Sequence, residues 1–231
     1  MKDIRKKIFR INGYEIRVII TSKLWKQNSY LVTHIKSGDQ IIIDPGAEEE
    51  KIIQIIKQNG NGTIKYILLT HAHFDHIGAV YAVSKYFDIP CYVLEQDYKL
   101  LRQGLMYAIR FGGIKFKTPD NVVNFSSEIL FKFDEKIINF IEAPGHTKGG
   151  VVYIFDGFIF SGDTLLHESI GRADLPGSDL KLLKNSVNNI LDSISEKTII
   201  FSGHGIQWSI SEAKKWWIDA ELTLPQYNTF Y

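Results

Sequence analysis

The sequence predicts a four-layer α/β sandwich, two mixed β-sheets stacked face to face with helices outside, and three observations predict it. Apolar runs at 8–11, 15–21, 29–34 and 40–44 are separated by Asn12-Gly13 and by Ser37-Gly38-Asp39, the residue types that close β-hairpins. Strand, helix and strand then succeed one another over about thirty residues between 66 and 94, the pattern of a βαβ crossover. Further strands near 129–133, 137–142, 150–155 and 158–161 are followed by another helix and a strand at 198–201. Strands then helix, twice over, call for two sheets, each with one face to cover.

Each element has a local reason. Glu48, Glu49 and Glu50 suit the positive end of a helix on which Ile52, Ile55 and Ile56 share a face. A short apolar run at 66–69 reads as a strand. After it Ile77, Val80, Tyr81, Ser84 and Phe87 fall at helical spacing, and "IPCYVL" at 89–94 gives the next strand. Residues 97–120 are less regular, with a short helix expected at 100–110, and read as an insert or lid within a single domain spanning 1–231. Leu180, Leu183, Val187, Ile190 and Leu191 line one helix face, and Ala213, Trp216, Trp217 and Ala220 line the last one.

Composition narrows the function. A chain of 231 residues hides roughly 70% of its unfolded surface, enough for a sizeable core. With 27 basic and 26 acidic residues it carries no bias toward nucleic acid or an anionic membrane. No apolar run approaches the ~20 residues that span a bilayer. The basic start "MKDIRKKIFRING" has no long apolar core behind it, so a cytoplasmic protein is expected. The single cysteine, Cys91, allows no intrachain disulfide and reads as a small buried hydrophobe.

The chemistry concentrates in "THAHFDH" at 70–76. Two positions apart on an extended chain, His71 and His73 point the same way and reach one ion. Asp75 and His76 stand where the chain turns into a helix and face a neighbouring position; a helix cap is the alternative for Asp75. Two more of the seven histidines follow a strand and small residues: His146 in "EAPGHTKGG" and His204 in "IIFSGHG". In "IFSGDTL", Asp163 also ends an apolar strand, where an unpaired carboxylate is costly and a bridge between two cations removes the cost. These seven residues suffice for two sites, one of three imidazoles and one mixing imidazole with carboxylate.

This set, spread over nearly the whole chain in five ordered motifs, resembles the metallo-β-lactamase superfamily. The resemblance implies that His71, His73 and His146 bind a first metal, that Asp75, His76 and His204 bind a second, and that Asp163 bridges them. Asp44 in "IIIDPG" matches an early strand-end aspartate that orients the main motif, with a turn cap as the alternative. Two divalent cations are expected, zinc suiting the imidazole-rich site best and iron or manganese tolerating the mixed one. Two such cations share a water and make hydroxide available near neutral pH, and Asp75 orients it or passes its proton to the leaving group.

Residues 169–179, "SIGRADLPGSD", resemble the corresponding stretch of small glyoxalase II-like hydrolases and of persulfide dioxygenases. The leading expectation is therefore cleavage of a small thioester, S-lactoylglutathione or another acyl thiol conjugate. The alternatives are a persulfide dioxygenase with one iron on His71, His146 and Asp163, a lactone or other ester hydrolase, and a non-catalytic metal-binding module. Larger glyoxalase II enzymes carry a lysine–aromatic segment that helps hold glutathione; here Arg172 stands in its place, so those contacts do not transfer. Arg172 is a candidate for a substrate carboxylate, against an ion pair with Asp174 or Asp179. Lys148 and His167 are further candidates for the pocket, with plain surface positions as the alternative. The expected partner is a small molecule, with neither nucleic acid nor membrane. The aromatic tail, with Tyr227, Phe230 and Tyr231, packs on the body or buries a subunit interface.

Overall fold

A computed structural model describes residues 8–59, 62–112 and 115–223. The first sheet follows chain order: β1 (Ile8–Ile11), β2 (Tyr14–Thr21), β3 (Gln27–His34), β4 (Gln40–Ile43), then β5 (Ile64–Leu68), β6 (Cys91–Leu94) and β7 (Val122–Phe125). Tight turns make β1 to β4 antiparallel. Helical crossovers make β4 to β7 parallel: α1 (Glu49–Gln58), the pair α2 (Phe74–Ile77) and α3 (Val80–Phe87), and α4 (Glu95–Tyr107), which runs into a π-helical turn at Ala108–Gly112.

The second half supplies β8 (Phe131–Phe133), β9 (Lys136–Glu142), β10 (Val151–Phe155), β11 (Phe158–Gly162), the small hairpin β12 (Leu165–Leu166) and β13 (Ser169–Ile170), α5 (Leu180–Ser193), β14 (Ile199–Ser202), β15 (Trp208–Ser209) and α6 (Ile210–Thr223). Its sheet runs β15-β14-β11-β10-β9-β8, parallel only where β14 lies beside β11. None of the described helices is long and apolar enough to cross a membrane.

The period of two along each strand sorts the core into layers. Tyr30, Val32, Ile41 and Ile43 point between the sheets, where they meet Tyr153, Phe158, Phe160 and Phe201. Their neighbours Leu31 and Ile42 point the other way, onto Ile52 and Ile56 of α1 and Val80 and Val83 of α3. In the second sheet Val152, Ile159 and Ile200 face outward onto Leu183, Val187 and Ile190 of α5 and Trp217 of α6. Strands buried on both faces cannot alternate with polar residues, which is why they read as continuous apolar runs. Each large side chain so buried contributes about 1.5–3 kcal/mol. The expected four layers are all present.

Three local features differ from the sequence reading. The helix expected from Ile77 to Phe87 is two helices, because the Ala79 N–H donates to the Pro45 carbonyl at 3.0 Å and so leaves the helical ladder. A Cβ at Gly78 would overlap the Gly46 carbonyl oxygen, so the missing side chain is what lets the two loops touch. Strand β7, four residues beyond an irregular stretch, had no sequence signal of its own. The short helix expected at 100–110 begins at Glu95 instead, directly at the end of β6, and buries Asp97, Leu101 and Gly104 as the crossover to β7. Trp217 packs in the core as expected; Tyr227, Phe230 and Tyr231 lie outside the described residues.

Candidate metal centre

Five loops meet at one edge of the sandwich. Strands β4, β5, β9, β11 and β14 all end there, and just beyond them stand Asp44, the 71–76 motif, His146, Asp163 and His204. Loops at the carboxyl ends of such strands are where α/β folds place ligands. The sheets bring together, from positions up to 133 apart in sequence, the seven residues that "THAHFDH" and the later loops pointed to.

They form two groups. Ligand atoms of His71, His73 and His146 lie within 4.8 Å of one another, and so do those of Asp75, His76 and His204. Asp163 stands between the groups. Its Oδ2 is 3.6 Å from His146 Nε2 on one side and 3.5 Å from His204 Nε2 on the other, and its Oδ1 is 3.5 Å from His76 Nε2. Asp75 Oδ2 is 3.4 Å from His204 Nε2.

The outer ring nitrogens are tethered, which fixes how the inner ones point. His76 Nδ1 donates to Asp44 Oδ2 at 3.0 Å, His146 Nδ1 to the Arg172 carbonyl at 2.8 Å, and His204 Nδ1 to the Trp25 carbonyl at 3.0 Å. His71 Nδ1 lies 3.1 Å from Thr70 Oγ1. In these four rings Nε2 is left for the centre. His73 differs, meeting His146 Nε2 at 2.9 Å through its Nδ1.

Asp44 does not cap a turn. Its carboxylate accepts the Thr70 N–H at 2.7 Å and the Thr70 hydroxyl at 2.5 Å as well as His76. Its backbone sits in the left-handed region at φ 47°, a conformation costly for a residue with a side chain. The strain is held by a network: Gln27 Nε2 donates to the Asp44 carbonyl at 3.1 Å, and the Ser29 hydroxyl donates to it at 2.7 Å.

The donor set fits divalent cations. His71 Nε2, His76 Nε2 and Asp163 Oδ1 are buried, converge on the centre and have no hydrogen-bond partner, an arrangement that a protein tolerates where an ion takes those lone pairs. Burial and the neighbouring imidazoles hold His71 well below its ordinary pKa, and burial lowers His73 to about 3. Both are therefore neutral, the form that ligates. Burial opposes ionisation of Asp163 and Asp75, yet the imidazoles of His204 and His76 outweigh it and hold both carboxyls below the usual carboxylate range. The same pairings, against burial, raise His76 and His204. The carboxylates thus ask for positive charge, which cations or protons on these two rings can provide.

Several supporting residues carried no sequence signal. Asp97, buried at the start of α4, accepts the Ala72 N–H at 3.0 Å through Oδ2 and the Gly149 N–H at 2.7 Å through Oδ1. Asn28 Nδ2 donates to the Ser202 and Gly205 carbonyls, both at 3.1 Å, and so holds the His204 loop. Such partners lie far apart in sequence and become neighbours only in the fold.

The three substrate candidates fare differently. A cavity of about 510 Å³ opens from the two metal groups and is lined in part by Arg172. The Arg172 guanidinium, however, donates to both oxygens of Asp174 at 2.9 and 2.8 Å, the ion pair that was the alternative reading. Its unforeseen contribution is the backbone carbonyl that holds His146. Lys148 is exposed, and the His167 ring lies 5.2 Å from that of Trp208 with the planes tilted by 51°; neither lines the cavity.

Comparison with known proteins agrees with this geometry. A family model described as the metallo-beta-lactamase superfamily matches residues 23–204. The hydroxyacylglutathione hydrolase GloC of Haemophilus influenzae is 34% identical over 202 residues, covering 85% of this chain and 94% of that protein. Among solved structures, the BLEG-1 B3 metallo-beta-lactamase superposes with a TM-score of 0.77 at 34% identity, covering 87% of this chain and 96% of that one. TTHA1623 in a di-iron-bound form gives 0.75 at 32%, covering 86% and 96%.

Proposed function

Because the chain belongs to the metallo-beta-lactamase superfamily and is a metal-dependent hydrolase of that kind, we propose that it cleaves a small thioester, an acyl group carried on a thiol in the manner of S-lactoylglutathione. The observation that carries this reading is Asp163 standing between two three-residue groups, with carboxylates and neutral imidazoles facing one cavity. Similarity to GloC supports a thioester as the bond cleaved.

His71, His73 and His146 would hold one divalent cation and Asp75, His76 and His204 a second, with Asp163 shared. Such cations, when bound, lower the pKa of water to near neutrality and polarise a carbonyl. Zinc suits the three-imidazole group; the mixed group also accepts iron or manganese, and the di-iron form of TTHA1623 supports that breadth. The protein's own contribution is placement. Asp44, Thr70 and the Arg172 and Trp25 carbonyls fix the rings, so little rearrangement is needed at the moment of reaction.

Asp75, ionised and beside His204 in the second group, takes the proton of the attacking water and returns it to the departing sulfur. A C–O bond forms and the C–S bond breaks, its electron pair leaving with sulfur, so one water yields one acid and one thiol. No protein nucleophile is called for: burial pushes the thiol of Cys91, the single cysteine, far up.

The test is metal analysis of protein purified without added metal, beside two assays. About two equivalents of metal with thioester cleavage is the expected result. A single iron with oxygen uptake on a persulfide would overturn the hydrolase reading.

A further inference from the structure

We infer that the group seated beside the scissile carbonyl is neutral and apolar, with an aromatic ring or a branched alkyl body, and that glutathione is not the preferred carrier. This rests on the thioester-hydrolase reading above.

Beyond the metal groups, two aromatic pairs line it. Trp25 and Phe74 meet edge to face with centroids 5.4 Å apart, and Tyr107 and Phe111 stack at 6.0 Å with planes 9° from parallel. Leu175 and Pro176 add further apolar surface. Phe111 is brought in by the π-helical turn that ends α4, and it stays 51% exposed at the cavity. Large apolar surface left in water beside a reactive centre marks a place where a ligand covers it. A volume of about 510 Å³ accommodates an acyl chain with a ring.

The charges point the same way. A glutathione conjugate brings two carboxylates, which call for cations on the wall. Among the described lining residues Arg172 is the single lysine or arginine, and both carboxylate oxygens of Asp174 engage it. Lys148 lies off the lining. With Asp75 and Asp163 taken up by the cations, carboxylates entering here would find, among the described lining residues, no lysine or arginine that is not already paired. A neutral apolar group replaces water on the aromatic walls and leaves no charge unpaired.

The experiment compares three thioesters on metal-loaded protein: S-lactoylglutathione, and the acetyl and phenylacetyl thioesters of N-acetylcysteamine. Phenylacetyl should exceed acetyl in kcat/KM by about tenfold or more, the usual worth of filling an apolar pocket, and should exceed S-lactoylglutathione. Phe111→Ala, at an exposed position that does not endanger folding, should narrow the phenylacetyl-to-acetyl ratio through KM. Calorimetry with the uncleavable thioether, in which a methylene replaces the phenylacetyl carbonyl, gives a readout apart from turnover: it should bind, and more weakly to Phe111→Ala. Equal rates for acetyl and phenylacetyl, or preference for S-lactoylglutathione with no thioether binding, would overturn the inference and leave the hydrolase reading intact. Thioether binding with no thioester cleaved would do the reverse.

Discussion

Asp97 reaches across 52 positions of sequence to accept the N–H of Gly149 at 2.7 Å, and its other oxygen holds Ala72, between His71 and His73. One buried carboxylate therefore fixes both stretches that carry the first metal group. Asp97→Asn keeps the shape but turns an amide NH2 toward one of the two backbone donors, leaving it unsatisfied, at about 1–3 kcal/mol of stability. Metal affinity should fall about 10–100-fold, as when a partner of a ligand is lost. Competition against a chelator, beside a thermal melt, checks both; unchanged affinity with lowered stability would make Asp97 a packing residue alone.

Asp75 bears on both metal retention and proton transfer, and one variant reads both. Asp75→Ala removes a member of the second group and leaves His71, His73 and His146 intact. Metal content should drop toward one equivalent, and kcat/KM should fall about 100-fold or more. Full activity in this variant would remove Asp75 from the mechanism.

Stripping the metal should weaken the fold without unfolding it. Bound cations stabilise by about 2.7 kcal/mol at a hundredfold excess over Kd, so chelation should lower Tm by about 5–10 °C for a chain this long. The loss is limited because His76 and His204, raised above their ordinary pKa of 6.5 by Asp163 and Asp75, take up protons in the cations' place. Differential scanning fluorimetry with chelator, then with zinc, iron or manganese restored, measures the shift and ranks the metals.

The sequence made the centre legible because its ligands are types that rarely cluster for other reasons, each announced by a strand end. The layers were legible because Leu31 and Ile42 alternate with Tyr30, Val32 and Ile43 yet leave no polar face. Asp97 and Asn28 were not, since an acid in a helix's first turn and an amide in a strand look ordinary until the fold joins them to Gly149 and Ser202. Arg172 attracted attention for its side chain, whereas its carbonyl holds His146, and backbone roles leave no mark on residue type.

Cys91 should resist thiol reagents in the folded protein. It is fully buried in β6, and burial raises its pKa, so thiolate is scarce and access is closed. Native protein should react with a maleimide only as fast as it opens, and denatured protein at once; mass spectrometry after timed labelling separates them. Rapid native labelling would mean that β6 is not held in the sheet.

Gly203 shows how closely the metal groups are set into the loops that carry them. A Cβ there would overlap Asp163 Oδ1 and press on the His76 ring at 2.7 Å. The loop cannot slide away, because the Gly203 N–H donates to the Gly162 carbonyl and its own carbonyl accepts the Asn28 N–H, both at 2.8 Å. Gly203→Ala should therefore displace Asp163 and lower the metal retained after dialysis, with a smaller effect on Tm. Gly13→Ala is the contrasting variant: its Cβ meets nothing within 4 Å, but φ of +89° strains any side chain. That change should cost about 1 kcal/mol of stability or more and leave metal content untouched. Metal analysis of the two variants side by side decides the matter, and full occupancy in Gly203→Ala would show that Asp163 has room the geometry does not give it.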